Sequence, residues 1–283
     1  MPVPDETTPV ATNLAAGGAT VRAAAKHGLG QDVLMSDERF ARDRSAAPGA
    51  SGEDIPAVEG ETDTEDRARV TRPFDALIVD YGGVLTTPMQ DAMQRFATEA
   101  GIELQDLVRA ALGAYSGAND ALVTDFEVGA ISEEEFSVAF AERLTRLTGK
   151  PIEASGLVGR IFRLQLEEAM LEAVSRARRH GLKTALLSNS WGLGIYPRAR
   201  LSELFDVVVI SGEVGLRKPD PAIFVLTADR LGAPANRCLF VDDVSGHLGA
   251  AAAEGMTTVL HVAPDQTIAR LEELLGLSLS GSS

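Results

Sequence analysis

The sequence predicts a doubly wound parallel α/β sheet interrupted by a helical insert, and three observations carry that prediction. Five short apolar runs, several rich in β-branched residues, recur between residues 77 and 262. Helical patterns that end at glycine separate the later runs. Residues 88–178, between the first and second runs, are too many for one crossover and read as helical throughout. The 283 residues are about enough for two units at roughly 100–200 residues per domain.

Residues 1–72 read differently from the rest. They hold one aromatic residue, Phe40, and 11 Leu, Ile, Val or Phe, and residues 47–66 mix Pro, Gly, Ser and acids without periodicity. Such a segment buries too little apolar surface to offset its ordering entropy, so a disordered acidic extension is expected. Residues 19–29 and 36–44 are compatible with transient helices. The extension reads either as a solvated tail or as a docking motif for a protein partner. Its 8 basic against 13 acidic residues exclude a basic arm for nucleic acid.

From Phe74 the pattern becomes regular. Leu77-Ile78-Val79 is ended by Asp80 and the turn residues Gly82-Gly83, and further runs lie at Thr184-Ala185-Leu186-Leu187, Val207-Val208-Val209-Ile210, Leu239-Phe240-Val241 and 257–262. Runs this short and apolar throughout suggest strands covered on both faces. Helical patterns at 170–180, 221–231 and 245–254 stop at Gly181, Gly232 and Gly255. Alternating strand and helix implies right-handed βαβ units, hence a Rossmann-like core over 73–87 and 179–283. Within the insert, Pro88 marks a helix start, followed by Met89, Ala92, Met93, Phe96 and Ala97 at amphipathic spacing. Ser132 and Glu135 form a capping-box pattern ahead of Phe136, Ala139, Phe140, Leu144 and Leu147, and Gly149 and Pro151 end that helix. Residues 88–178 are therefore expected to be a helical bundle over the sheet.

Composition narrows the function classes. Lys and Arg number 26 against 41 Asp and Glu, a net charge of −15, which argues against nucleic acid or an anionic membrane as partner. The single cysteine, Cys238, excludes an intramolecular disulfide and a cysteine-built zinc site. No apolar run approaches the ~20 residues of a membrane span, and the N-terminus lacks the basic start and apolar stretch of a signal peptide. A cytoplasmic protein is expected.

In parallel α/β sheets ligands bind outside the carboxyl ends of the strands. Those ends carry Asp80 after the first strand, Ser188-Asn189 after the second, Lys218 eight residues beyond the third, and Asp242-Asp243 after the fourth. Facing carboxylates repel unless a cation lies between them, and hard oxygen ligands suit Mg²⁺, which commonly keeps positions for a substrate phosphate. Lys218 would add positive charge for that phosphate, and the Ser188 hydroxyl with nearby backbone N–H groups would cradle it. Each residue alone also reads as a turn, a cap or a solvated side chain; the order of all four, each at an expected strand end, carries the argument.

The same stretches resemble a known family. LIVDYGGVLT (77–86), LLSNS (186–190), GLRKPDPAIF (215–224) and CLFVDDVSGHLGAA (238–251) resemble, in order, the four motifs of haloacid dehalogenase-like hydrolases. The insert is similar to that family's helical cap, and SNSWG, SGEVGLRKPDPAIF and TIARLEELLGLSL resemble the N-terminal phosphatase domain of soluble epoxide hydrolases. The resemblance implies that Asp80 attacks phosphorus and forms an aspartyl-phosphate that water hydrolyses. It implies that Asp243 binds Mg²⁺ with Asp242 as a second ligand or an orienter, joined by Asp80 and the Gly82 carbonyl. Ser188 and Lys218 would hold the phosphoryl oxygens, with Asn189 and Gly83 beside them, and the substrate would be a small phosphate ester.

One departure alters the expected chemistry. The family usually places a second Asp two residues after the nucleophile, and here that position is Gly82. The missing acid is worth about 10²–10⁴-fold as a general acid–base catalyst. Hydrolysis should therefore favour aryl, acyl or anomeric phosphates over simple alkyl phosphates. His247 stands where relatives often have Asn, with an expected effect on loop packing. Tyr81 is one residue early for a dehalogenase, and Lys150, the one lysine between 88 and 179, is poorly placed for the Schiff base of a phosphonatase. The reading from another class is a degenerate relative that binds a ligand or partner. Arg109, Arg160 and Arg163 are candidates to face the substrate or plain solvated helix charges, and Trp191 either lines the pocket mouth or packs under the cap.

Overall fold

The computed structural model describes residues 72–111 and 121–280. The expected disordered extension lies outside the described residues. Strand β1 (Ala76–Val79) leads into five helices: α1 (Met89–Ala100), α2 (Leu104–Ala111), α3 (Ala121–Glu127), α4 (Glu133–Thr148) and α5 (Leu157–Ile161). The chain continues through α6 (Glu168–Arg179), β2 (Lys183–Ser188), α7 (Arg198–Leu204), β3 (Val207–Ile210) and α8 (Ser211–Val214). It ends with α9 (Pro221–Leu231), β4 (Cys238–Asp242), α10 (Ser245–Ala253), β5 (Thr257–Leu260) and α11 (Pro264–Leu275). None of these helices is long and apolar enough to cross a membrane.

The strands form one sheet in the order β3-β2-β1-β4-β5, with parallel pairing throughout. Alternation explains why the strands read as continuous apolar runs. Leu77, Val79, Leu186, Leu239 and Val241 face one side, packed with α6 and α11. Ala76, Ile78, Ala185, Leu187 and Phe240 face the other, beneath α9 and α10. The strand order reverses between β1 and β4, and that switch point opens a crevice at their carboxyl ends. Val79 pairs with both Leu186 and Val241, so Asp80, Leu187 and Asp242 come level at one edge.

The insert has its own core. Phe96, Leu107, Phe126, Phe136, Phe140 and Leu144 bury together, with Phe126 stacked on Phe136 at 4.1 Å between ring centroids. Ser132 caps α4 as its spacing predicts: the Glu135 N–H donates to its Oγ (3.2 Å) and the Ser132 N–H donates to Glu135 Oε2 (2.8 Å). Two short crossing segments join insert to sheet, paired at Thr86 and Leu166, with Thr87 N–H to Gln165 O at 2.8 Å and Glu167 N–H to Leu85 O at 2.9 Å.

The insert ends earlier than the sequence reading placed it. Met170, Leu171, Ala173, Val174 and Ala177 of α6 pack into the core of the sheet, so the bundle stops before Glu168 rather than at 178. The last strand is also shorter than expected, ending at Leu260, and His261 follows it.

Candidate active site

The site is built on strand ends. The Asp80 N–H donates to Val241 O (2.9 Å), which fixes the residue at the edge of β1. Asp242 is the last residue of β4 and is wholly buried. Lys218 lies in the turn between α8 and α9 and is wholly buried too, its Nζ 2.9 Å from Asp80 Oδ1 and 2.6 Å from Asp242 Oδ2. A buried ammonium is tolerated there because two carboxylates meet it. Burial pushes its pKa down, and Asp80 and Asp242 more than reverse that, leaving Lys218 above the ordinary lysine value.

Asp242 was expected as a second metal ligand or an orienter, and its contacts are those of an orienter. Its oxygens receive Lys218, the Val244 N–H (2.8 Å) and the His247 ring, whose Nδ1 lies 3.1 Å from both. Burial raises its pKa; Lys218 and His247 outweigh that and hold it well below the usual carboxylate range. His247, read from the sequence as a packing residue, thus braces the carboxylate that braces Lys218.

Asp80 and Asp243 behave oppositely. Burial, with Asp242 and Asp243 nearby, pushes the Asp80 carboxyl well above its ordinary value despite Lys218. Asp243 is the exposed member of the three; partial loss of water at the edge of the site, together with Asp242, pushes its carboxyl up to about 6. One oxygen from each of Asp80, Asp242 and Asp243 lies within 4.8 Å of the others. Three carboxylates against one ammonium leave two negative charges, and the donors are hard oxygens. That set fits a divalent cation of the Mg²⁺ type.

Two residues expected to bind substrate are otherwise engaged. The Asn189 amide clasps the backbone of Lys218, donating from Nδ2 to Lys218 O (2.9 Å) and accepting the Lys218 N–H at Oδ1 (2.8 Å). The Gly83 N–H donates to Thr86 Oγ1 (3.1 Å) rather than facing an open site. Gly83 matters for space: it sits at φ 78°, and a Cβ there would fall 2.4 Å from Asp243 Oδ2. Ser188 does face the site, its Oγ 2.9 Å from the Tyr196 hydroxyl. Sequence reasoning missed Tyr196. It is buried, and that burial, aided by Asp80, raises its pKa further, so it stays a neutral phenol.

Above these groups lies a cavity of about 380 Å³ between the strand ends and the insert. Met89, Met93, Val108, Phe162 and Leu164 come to it from the insert, and Trp191 and Ile195 from the loop after β2. Trp191 both lines the cavity and packs under the insert, 4.6 Å from the Phe162 ring between centroids. Arg109, Arg160 and Arg163 do not line it: Arg109 pairs with Asp106 and Arg163 with Glu99 at the surface, and Arg160 stands over the Phe96 ring. Lys150 is exposed and donates to Gly101 O, away from the cavity. A shallower groove of about 590 Å³ at the opposite strand ends holds Arg178 in an ion pair with Asp206 and Lys183 on the Leu231 and Gly232 carbonyls.

Residues 74–255 match the family model of haloacid dehalogenase-like hydrolases. The chain belongs to that family. Phosphatase MT3486 of Mycobacterium tuberculosis is 31% identical over 74% of this chain and 98% of its own length. Bifunctional epoxide hydrolase 2 of Sus scrofa is 30% identical over 72% of this chain, which spans only 39% of that enzyme. A HAD family enzyme of Bacteroides thetaiotaomicron, solved with magnesium and inorganic phosphate, superposes with a TM-score of 0.51 at 19% identity, covering 67% of this chain and 95% of that one. The last likeness speaks to the fold alone. As a haloacid dehalogenase-like hydrolase, the protein carries its charged residues at the edge of the sheet and its insert above them.

Proposed function

We propose that this hydrolase cleaves small organic phosphomonoesters and that Asp80 is its nucleophile. The observation that carries the reading is the contact of a wholly buried Lys218 with Asp80, 2.9 Å apart, next to the Asp243 carboxylate and the Ser188 hydroxyl. A carboxylate held in this way can approach a phosphate dianion, because Lys218 offsets the repulsion between them. Asp80 attacks phosphorus, the ester oxygen leaves with its electron pair, and water later releases phosphate from the Asp80 acyl phosphate. Ser188, held by Tyr196, donates to a phosphoryl oxygen. Asn189 and Asp242 keep Lys218 in position, and His247 keeps Asp242 in position. Asp80, Asp243 and the Gly82 carbonyl would hold Mg²⁺, which supplies positive charge for the transferring phosphoryl group. The names of the relatives, a phosphatase among them, agree with this chemistry.

A second reading, a relative that binds a ligand without turning it over, is favoured by one observation. A Cβ at Gly82 would meet Met89 Sδ at 3.1 Å, so a thioether stands where a second acid would project. Phosphate release from phenyl phosphate separates the two. We expect release with Mg²⁺ that falls to background in Asp80→Asn and on chelation. Binding of phosphate to the folded protein with no release from any ester would favour the second reading.

A further inference from the structure

The cavity divides by chemistry along the line of phosphoryl transfer. Attack and departure are roughly in line at phosphorus, so a group leaving opposite Asp80 heads away from the edge of the sheet and into the insert. Among the described residues, every side chain that the insert contributes to the cavity is apolar: Met89, Met93, Val108, Ala111, Phe162 and Leu164. The carboxylates, the ammonium and the Ser188 and Tyr196 hydroxyls come from the strand ends and the loops after them, and the Trp191 indole, with its N–H, meets the insert from the loop after β2. Two consequences follow. Among the described residues the insert offers the departing oxygen no acidic side chain, which favours an oxygen stable enough to leave as an anion. Among the described residues the rest of the leaving group meets an apolar wall with the Trp191 indole at its rim, which favours an apolar group.

We infer that the substrate is an aryl phosphomonoester, whose phenol-type oxygen leaves unprotonated and whose ring lies against Trp191, Phe162 and the Met89 and Met93 thioethers. This rests on the hydrolase reading above and adds what the phosphate is attached to. A phenol ionises near pH 10, whereas an alkyl alcohol is nearly as weak an acid as water, roughly 16. The missing donor therefore penalises alkyl esters far more than aryl ones. A sugar phosphate would set its hydroxyls against that apolar wall, at about tenfold or more in affinity for each one left without a partner. A small acyl phosphate could leave as an anion but would not fill the apolar wall. Thioethers and tilted aromatic rings, as in the Trp191–Phe162 pair, are favourable neighbours for a ring. At about 380 Å³ the space is near the small end of ligand cavities, roughly 300–1,000 Å³, which suits one or two rings.

The step balances without a further reactant. The Asp80 carboxylate and the aryl phosphate dianion give the acyl phosphate and a phenoxide. Water then adds to phosphorus as the acyl–oxygen link to phosphorus breaks, returning the Asp80 carboxylate and dihydrogen phosphate. One proton of that phosphate finally neutralises the phenoxide in solvent.

Trp191 is the one tryptophan of the chain, so its emission reports on the cavity independently of turnover. The test pairs two measurements on the full chain with Mg²⁺. The first compares kcat/KM for phenyl phosphate, hexyl phosphate and glucose 1-phosphate. The second titrates Trp191 emission with the non-hydrolysable phenylphosphonate and methylphosphonate. We expect phenyl phosphate to exceed both other esters by about 100-fold or more, and phenylphosphonate to shift the emission at concentrations where methylphosphonate does not. Hexyl phosphate or glucose 1-phosphate turned over as well as phenyl phosphate would overturn the inference, as would equal binding of the two phosphonates. Tighter binding of phenylphosphonate without release from any ester would uphold the aryl ligand and overturn the hydrolase.

Discussion

Gly82 and Gly83 are adjacent and do different work. Gly83 is required by space, because its left-handed backbone and the Asp243 carboxylate 2.4 Å from any Cβ leave room for hydrogen alone. We predict that Gly83→Ala displaces Asp243 and lowers Mg²⁺ affinity at least about tenfold, a loss that isothermal titration would read directly. Gly82 is under no such constraint. A Cβ there meets only the flexible end of Met89, so an acid can be introduced if that side chain gives way by a few tenths of an ångström. Gly82→Asp should raise hydrolysis of hexyl phosphate by about 10²–10⁴-fold and change phenyl phosphate much less. An unchanged alkyl-to-aryl ratio, read in the same assay, would mean that another residue supplies the proton.

At the scale of elements, the insert is tied to the strand ends through α3. Glu127, wholly buried at the end of α3, faces Arg217 with Oε2 2.7 Å from Nε, and Arg217 also donates to Thr124 Oγ1 (3.2 Å). Ser211 donates to the Glu127 carbonyl and accepts the Ser190 N–H at 2.7 Å, and Gly129 approaches Gly212 closely enough to exclude any Cβ. Glu127→Ala removes the wholly buried carboxylate partner of a largely buried guanidinium, and we predict a loss of about 3–5 kcal/mol in urea unfolding. Arg217 precedes Lys218, so the same variant should also lower turnover. Little of this latch was legible beforehand. Strands were legible because burial on both faces makes them apolar throughout, and Asp80, Ser188, Asp242 and Asp243 because they close or directly follow a strand at the sheet edge; Lys218 was legible by its place after the third strand, though α8 and a turn carry it back to that edge. Tyr196, Glu127 and Arg217 act through contacts between segments distant in sequence, or from a loop without periodicity, so no local pattern marks them. Asn189 and Gly83 were legible as residues of the site but not in their tasks, which depend on where Lys218 and Asp243 fall in space. The end of the insert was misplaced because α6 is amphipathic in the same way as the bundle helices, and periodicity does not say which core a helix joins.

For the whole molecule, the carboxylate cluster links stability to pH and to metal. An aspartate whose carboxyl is pushed up in the fold holds its proton more tightly than it does in the unfolded chain. As pH rises through the window from the ordinary 3.8 to about 6, the folded form therefore binds more protons, and Asp243 contributes a stability that falls across that window. Asp80 acts in the same direction. A divalent cation takes the place of those protons, so its stabilising effect should grow as the carboxyls ionise. We predict that the rise in Tm on adding Mg²⁺ is small at pH 5 and large at pH 7.5. A rise independent of pH would place the ion elsewhere.

The central claim is that Asp80 carries the phosphoryl group between substrate and water. With Gly82 in place of a second acid, release of phosphate from Asp80 should be slower than its formation from an aryl ester, so the phosphorylated protein should accumulate during turnover. Rapid-quench mass spectrometry of the protein reacting with phenyl phosphate and Mg²⁺ measures this directly. The account predicts one added phosphoryl group, located on the peptide containing Asp80 and absent from Asp80→Asn. Turnover of phenyl phosphate with the phosphoryl group on another residue, or undiminished turnover by Asp80→Asn, would contradict it.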